Sequence, residues 1–226
     1  MNDRISFQGE PGANSHIAAR EAYPELEPLP CPTFEDAFAA VSERQAKYAM
    51  IPVENSLAGR VADVHHLIPE SGLYIIGERF VPIRHQLLGV PGATLEGLTH
   101  VRSHPQALGQ CRRMLRKMGV AAVKTADTAG AAREIAELGD PKIGALASAL
   151  AAEIHGLTIL KPDMADARHN TTRFLVFSSE ADDAPPGQGP CMTSFVFRVR
   201  NVPAALYKAL GGFATNGVNM TKLESY

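Results

Sequence analysis

The sequence has no sustained block of like charge, no apolar stretch of membrane-spanning length and no paired cysteines, and each absence closes off a class of function. Over 226 residues, 22 lysines and arginines meet 24 aspartates and glutamates for a formal net charge of -2. The basic stripe by which a general nucleic-acid binder neutralises phosphates is therefore missing. A helix that spans a bilayer needs about 20 consecutive apolar residues, and none is present. The opening Met1-Asn-Asp-Arg-Ile-Ser runs into a strand-like segment without the apolar core of an export signal, so the expectation is a cytoplasmic chain with no membrane partner. Cys31, Cys111 and Cys191 are odd in number, widely spaced and form no CxxC, which argues against a disulfide framework and a thiolate zinc site. His65 and His66 are adjacent, so on a helix they point in different directions, and no HExxH surrounds them. No metal is expected. GxGxxG and GxSxG are also absent, which leaves a dinucleotide fold and a hydrolase elbow without support. What remains is a protein whose partner is a small molecule.

Short apolar runs alternate with longer Ala-rich segments of helical period through the first 179 residues, the pattern of βα units around a parallel sheet in an α/β fold. Strands are expected at 4–8, 48–53, 73–90 with a break, 120–125, 142–146 and 172–177. Helices are expected at 14–23, 33–43, 105–118, 128–137 and 148–155, several opened by a polar capper such as Thr33 or Thr128. A run of turn formers over 180–191 reads as a linker. Beyond it, a strand at 193–200, a helix at 203–213 and a strand at 218–226 form a β-α-β unit too small to cover its own sheet.

Four segments place polar side chains at strand-to-helix or loop-to-strand junctions, where open α/β sheets bind ligands. They are residues 9–16 (GEPGANSH), 51–60 (IPVENSLAGR), 103–111 (SHPQALGQC) and 166–174 (DARHNTTRF). Gly9 and Gly12 permit a tight turn, and Asn14 or Ser15 can cap the helix that follows. Glu54-Asn55-Ser56 brings an acid, an amide and a hydroxyl to a strand end; a structural turn is the competing reading. His104 reads chiefly as a helix start. Arg60, Arg84, Arg168 and Arg173 could each offer a guanidinium to a dianion or stay solvated on the surface.

Taken together, these motifs resemble the prephenate dehydratase family. The resemblance rests on the glycine turn ending in Ser15-His16, on Pro52-Val-Glu-Asn-Ser56 with Gly59, on Ser103-His-Pro-Gln106 with Gln110-Cys111, on Thr128, on Ala147-Ser148, on His155-Gly-Leu157 and on Asn170-Thr-Thr-Arg-Phe174, in the family's order over about residues 4–179. It implies a two-lobed catalytic domain of the periplasmic-binding-protein type (type II) over 1–179. Lobe one would hold 1–80 with 160–179, lobe two 81–159, and the active site would lie in the cleft between them. It implies decarboxylating dehydration of prephenate to phenylpyruvate, with no cofactor because the departing hydroxyl takes up the electrons that decarboxylation releases. Thr172 matches the family's essential threonine and would donate a hydrogen bond or proton to that hydroxyl. Glu54 would be the relay if its pKa is raised. Asn14, Ser15, Asn55, Ser56, Thr128, Ser148, Asn170, Thr171 and Arg173 would bind or position substrate.

Residues 192–226 resemble the start of an ACT domain, a ferredoxin-like βαβ regulatory module. The resemblance implies an L-phenylalanine effector held by Ala205, Leu206, Glu224 and Ser225, and a homodimer or homotetramer. Tyr226 stands where the family's pattern has Arg. Arogenate as the substrate, and a non-catalytic two-lobe binding module, are the competing readings.

Overall fold

A computed structural model of the chain describes residues 3–167, 169–185, 187, 189 and 191–223. It divides into two compact units, 1–183 and 184–226.

The first unit contains two sheets. One is built from β1 (Arg4–Gln8), β2 (Glu27–Cys31), β3 (Tyr48–Asn55), β4 (Gly59–Arg60), β5 (Tyr74–Pro82) and β11 (Thr171–Ser178), in the order β2-β1-β3-β11-β5 with β4 beside β3. The other is built from β6 (Gln86–Gly89), β7 (His100–Ser103), β8 (Ala121–Lys124), β9 (Ile143–Ala147) and β10 (Thr158–Lys161), in the order β10-β6-β9-β7-β8. Both are mixed, which corrects the expected parallel arrangement. β1 runs parallel to β2 and β3, and β7 parallel to β8 and β9, but β11 is antiparallel to both β3 and β5. The cause is connectivity. β11 enters its sheet from the second lobe instead of through a βα crossover, so nothing imposes the parallel sense. Among the described residues no helix is long and apolar enough to cross a membrane.

Helices cover the sheets through apolar faces. α1 (Asn14–Ala22) buries Ala18 and Ala19 with Ile5, Phe7, Met50, Phe174 and Val176. α2 (Phe34–Ser42) buries Ala37, Phe38 and Val41 on the opposite face with Ile51, Leu175 and Phe177, its start fixed by a capping box between Thr33 and Asp36. α6 (Thr128–Leu138) and α7 (Ala149–His155) pack their alanines on Leu88, Ala145 and Ala147. α4 (Pro105–Gln110) and α5 (Arg112–Met118) cover the other face of that sheet with Leu108, Cys111 and Leu115. α3 (Ala62–His65) is a single turn. α6 begins at Thr128 with Asp127, not Thr128, as its cap. The helix expected over 105–118 breaks at Cys111, for a reason taken up below.

In the second unit only α8 (Ala205–Thr215) is regular among the described residues. Phe195, Phe197 and Phe213 gather their rings within 5.7 to 6.5 Å, yet α8 buries none of its residues. The strands expected at 193–200 and 218–226 are not formed in the described residues. Two isolated strands beside one amphipathic helix bury too little to fix a ladder.

The lobes of the first unit are joined by two crossovers, 83–85 outward and 162–170 in return, which bond to one another: Ile83 N–H to the Asn170 carbonyl and Met164 N–H to the His85 carbonyl, both at 2.8 Å. They also touch through Arg133 of α6, whose guanidinium grips Glu10 of the β1–α1 turn at 2.8 and 3.1 Å. The hydrogen bond from Arg133 holds the Glu10 carboxyl below its ordinary value. A depressed carboxylate contributes stability above its unfolded value and loses it as pH falls through the folded one. Glu10→Gln should therefore cost about 0.5–1 kcal/mol near neutral pH, the scale for a partly exposed pair. In urea titrations the gap from wild type should close as pH falls through the carboxylate range, and a gap of equal size at low pH would show that the pair contributes nothing.

Candidate active site

At the carboxyl end of β3 the register with β11 slips. Phe174 pairs with Pro52, but Arg173 pairs with Glu54 and Thr172 with Asn55, so Val53 is an extra residue. Side chains alternate along a strand and a bulge resets the alternation. Without it Glu54 would face Thr172; with it Asn55 does. Thr172 lies on the face that carries Phe174 and Val176 beneath α1, and Arg173 on the face that carries Leu175 and Phe177 beneath α2.

Asn55 is 8% exposed, and each of its polar atoms is assigned. Its Oδ1 accepts the backbone N–H groups of Leu57 and Ala58 at 3.0 and 2.9 Å. Its Nδ2 donates to Asn170 Oδ1 at 2.7 Å and to Thr172 Oγ1 at 2.9 Å. Asn170, on the return crossover, donates from Nδ2 to Gln110 Oε1 at 3.0 Å, and that oxygen also meets His85 Nε2 at 2.8 Å. Four side chains and Thr172 thus form one chain of hydrogen bonds. It runs from the first sheet (Asn55, Thr172), through both crossovers (Asn170, His85), to the second lobe (Gln110). Burial holds His85 below its ordinary value, against the opposing pull of the Gln110 bond, so the ring is neutral at neutral pH.

Gln110 reaches this point because of the break at Cys111. There Asp166 N–H donates to the Gln110 carbonyl at 2.7 Å, and Asp166 Oδ2 accepts Arg113 N–H at 2.9 Å. The return crossover thus caps α5 where a continuous helix would have used those groups internally. Burial, with Asp166 beside it, pushes the Cys111 thiol up to about 12, which makes it a packing residue and not a nucleophile.

The other expected residues divide. Ser56 clasps Thr171 twice: its N–H donates to the Thr171 carbonyl at 2.8 Å, and its hydroxyl accepts Thr171 N–H at 3.0 Å. Arg173 is bonded to Glu78 at 2.8 Å, with its guanidinium 6.0 Å from the Phe80 ring. The structure does not bring it to the Thr172 cluster. Glu54 is registered with Arg173 and not with Thr172. Asn14 opens α1 but does not cap it; the cap position is Ala13, whose methyl cannot accept a hydrogen bond. The first-turn N–H groups of α1 are therefore uncapped by any side chain, unlike those of α6 and α7. Ser148 caps α7 through Ala151 N–H at 3.0 Å and donates across the lobes to the Gly12 carbonyl at 2.6 Å. His16, held below its ordinary value by burial and by Arg20, stacks on Phe7 and accepts Gly12 N–H at 3.0 Å. Arg168, Glu224 and Ser225 lie outside the described residues. His85 had no place among the expected residues, and Gln110 entered only as part of a motif. A polar residue between two apolar strands, and one amide inside an Ala-Leu-Gly-Gln-Cys helix, are weak signals singly. Among the described residues no cluster of His, Cys, Asp and Glu could hold a metal ion.

A family model for prephenate dehydratase matches residues 5–182. The chain belongs to the prephenate dehydratase family. It is 51% identical, over 98% of its own length and 79% of the other, to a protein of Komagataeibacter europaeus named bifunctional N-acyl-homoserine lactone acylase/prephenate dehydratase. It is 42% identical to an Arabidopsis thaliana protein named arogenate dehydratase/prephenate dehydratase 1, chloroplastic, matching 98% of this chain and 56% of that protein. The chain thus spans only about half the length of this plant relative. Among solved structures, that of prephenate dehydratase in complex with L-Phe from Arthrobacter aurescens superposes with a TM-score of 0.84 at 29% identity, covering 99% of this chain and 76% of the other.

The joint between the lobes also depends on Gly12. Its φ is +94°, and a Cβ there would lie 2.7 Å from the Ala151 Cα. Left-handed strain of about 1–2 kcal/mol adds to an overpacking cost of about 1–3 kcal/mol. Gly12→Ala should therefore lower the unfolding free energy by roughly 2–5 kcal/mol, read from the urea midpoint. An unchanged midpoint would mean that the turn does not dock on α7 as described.

Proposed function

We propose that the protein converts prephenate to phenylpyruvate, water and CO2, as a step of L-phenylalanine biosynthesis. One observation carries the reading: the Thr172 hydroxyl receives a hydrogen bond from Asn55, so its oxygen is occupied as an acceptor and its own proton is left to donate. That is the group required beside a departing hydroxide. In the reaction the bond from the ring to its carboxylate breaks, CO2 leaves, and the electron pair moves through the diene to expel the C4 hydroxyl. One proton from solvent completes the water. Thr172 contributes a hydrogen bond that strengthens as charge grows on the leaving oxygen. An amide has no proton to give at neutral pH, so the Asn55 side of the network orients Thr172 and does not recharge it. Glu54 has no direct part in this scheme. The uncapped first turn of α1, at Asn14 and Ser15, suits a substrate carboxylate. Thr128 at the start of α6, and Asn170, Thr171 and Ser56 around the cluster, complete the binding group, while Ser148 shapes it by holding the turn at Gly12.

Arogenate, named for the plant relative, differs from prephenate in carrying an ammonium group, and the two compounds belong side by side in one ultraviolet assay. Thr172→Ser should keep measurable turnover of prephenate. Thr172→Ala should lose about 100-fold or more in kcat, the scale for removing a preorganised donor, with KM little changed. Near-normal turnover by Thr172→Ala would remove Thr172 from the chemistry. Product from arogenate alone would reassign the substrate, and release of fatty acid from an N-acyl-homoserine lactone would open the second activity in the Komagataeibacter protein's name.

The solved relative bound to L-Phe supports a further reading, that 184–226 contributes to an L-phenylalanine site with Ala205 and Leu206 at the first turn of α8. Titration calorimetry should show saturable heat with L-phenylalanine and less with Leu206→Ala; no heat with the wild-type chain would reject it.

A further inference from the structure

The direction of every hydrogen bond around Thr172 is fixed from one end. Two backbone N–H groups, of Leu57 and Ala58, converge on Asn55 Oδ1. Reversing that amide would set its NH2 against both of them. Asn55 must therefore present Nδ2 to Asn170, Asn170 must accept through Oδ1 and donate through Nδ2, and Gln110 must accept through Oε1. An amide oxygen accepts and never donates. The only role left to His85 Nε2, at 2.8 Å from that oxygen, is that of donor. The buried imidazole is thus bound to one tautomer, with its proton on Nε2.

His85 sits on the outward crossover and is 4% exposed. Its backbone carbonyl accepts the Met164 N–H of the return crossover at 2.8 Å. The ring is therefore placed by the hinge itself, and it holds an oxygen contributed by the second lobe. Gln110 Oε1 carries two lone pairs and takes two donors, Asn170 and His85. With one donor removed, the Gln110 side chain is satisfied but no longer held to one rotamer. Asn170, which is 3% exposed, then loses its fixed acceptor, and the position of Asn55 against Thr172 loosens with it.

Resting on the dehydratase reading, we propose that His85 is a positioning residue of the dehydration: its Nε2–H fixes Gln110, and through Asn170 and Asn55 it aims the Thr172 hydroxyl at the leaving group. Four bonds separate it from Thr172, so it touches no reacting atom and acts only through the geometry it imposes. The linkage crosses the interlobe joint twice, so correct seating of the second lobe and correct aim of Thr172 become one condition.

Three measurements on the full chain test this. His85→Leu keeps the bulk and loses the donor; kcat for prephenate should fall about 10- to 100-fold, the scale for displacing a group that acts at a distance, with KM within about threefold. His85→Gln places an N–H at nearly the same reach and should recover kcat to within about fivefold of wild type. Histidine ring carbon and nitrogen shifts of the wild-type protein should show His85 as the neutral Nε2–H tautomer, a readout independent of activity and of whether His85→Leu folds. A wild-type kcat in His85→Leu, an equal loss in both variants, or an Nδ1–H tautomer would each overturn the role while leaving the dehydratase reading intact. A wild-type chain inert towards both prephenate and arogenate would overturn the dehydratase reading and the role with it.

Discussion

Two peptide N–H groups pointing at one amide oxygen set the polarity of the centre of this molecule. Leu57 and Ala58 follow Asn55 in a turn that directs both their N–H groups back to Oδ1, and a buried amide held by two such donors has no second orientation of comparable energy. The sense of each subsequent bond follows by elimination, because each amide has one accepting and one donating end. Side-chain networks with every donor and acceptor matched are stiff, and those with one mismatch are costly. In this one each bond from Leu57 and Ala58 to His85 joins a donor to an acceptor in a consistent sense, which lets it lie across a joint between two lobes.

The same joint explains local irregularities that would otherwise look like defects. The bulge at Val53 costs a ladder position but exchanges Glu54 for Asn55 on the face shared with Thr172. The break at Cys111 costs a helical turn but frees the Gln110 carbonyl and the Arg113 N–H for Asp166, which holds the return crossover against α4 and brings Asn170 within 3.0 Å of Gln110. Removing either irregularity would restore local regularity and separate the members of the network. Local cost accepted for a site is the usual place where sequence patterning and structure part company.

The legible parts of the chain were those governed by a period. Alternation and helical spacing placed β1, β3, β9, β11, α1, α2, α6 and α7 within a residue or two of where they lie. β2 escaped because Glu27-Pro-Leu-Pro-Cys31 reads as non-strand; it is tolerated as an edge strand, pairing only with β1, and Pro28 and Pro30 lie two residues apart, so both place their missing N–H on the same side. β7 and β10, four residues each, were too short to stand out. The mixed sense of the first sheet depends on a strand arriving from another lobe, which no local window contains. The motifs drew attention to Asn55, Asn170 and Thr172, and the structure does bring them together. The pairing of Arg173 with Glu78, 95 positions away in the chain, is a matter of which face each side chain occupies. That in turn follows from the alternation along β11 and its register with β5, where Leu175 faces Glu78, and no local window contains the partner strand.

On the proposed reaction, the placement of Arg173 bears on decarboxylation. A carboxylate that is to leave as neutral CO2 loses its charge on the way to the transition state, so a strong ion pair to it stabilises the starting state more than the transition state and slows the step. The leaving hydroxyl has the opposite need, since negative charge grows there. A site for both should offer neutral donors at the hydroxyl and keep cations away from the scissile carboxylate. Around Thr172 the structure provides amides, a hydroxyl and a neutral imidazole. The adjacent arginine is turned to the other face and neutralised by Glu78 beside Phe80. On the proposed reaction, the Glu78–Arg173 pair is then more than packing. It removes a full positive charge from the vicinity of a group that must become uncharged, and the β-strand alternation that separates residue 172 from residue 173 is the device that accomplishes it.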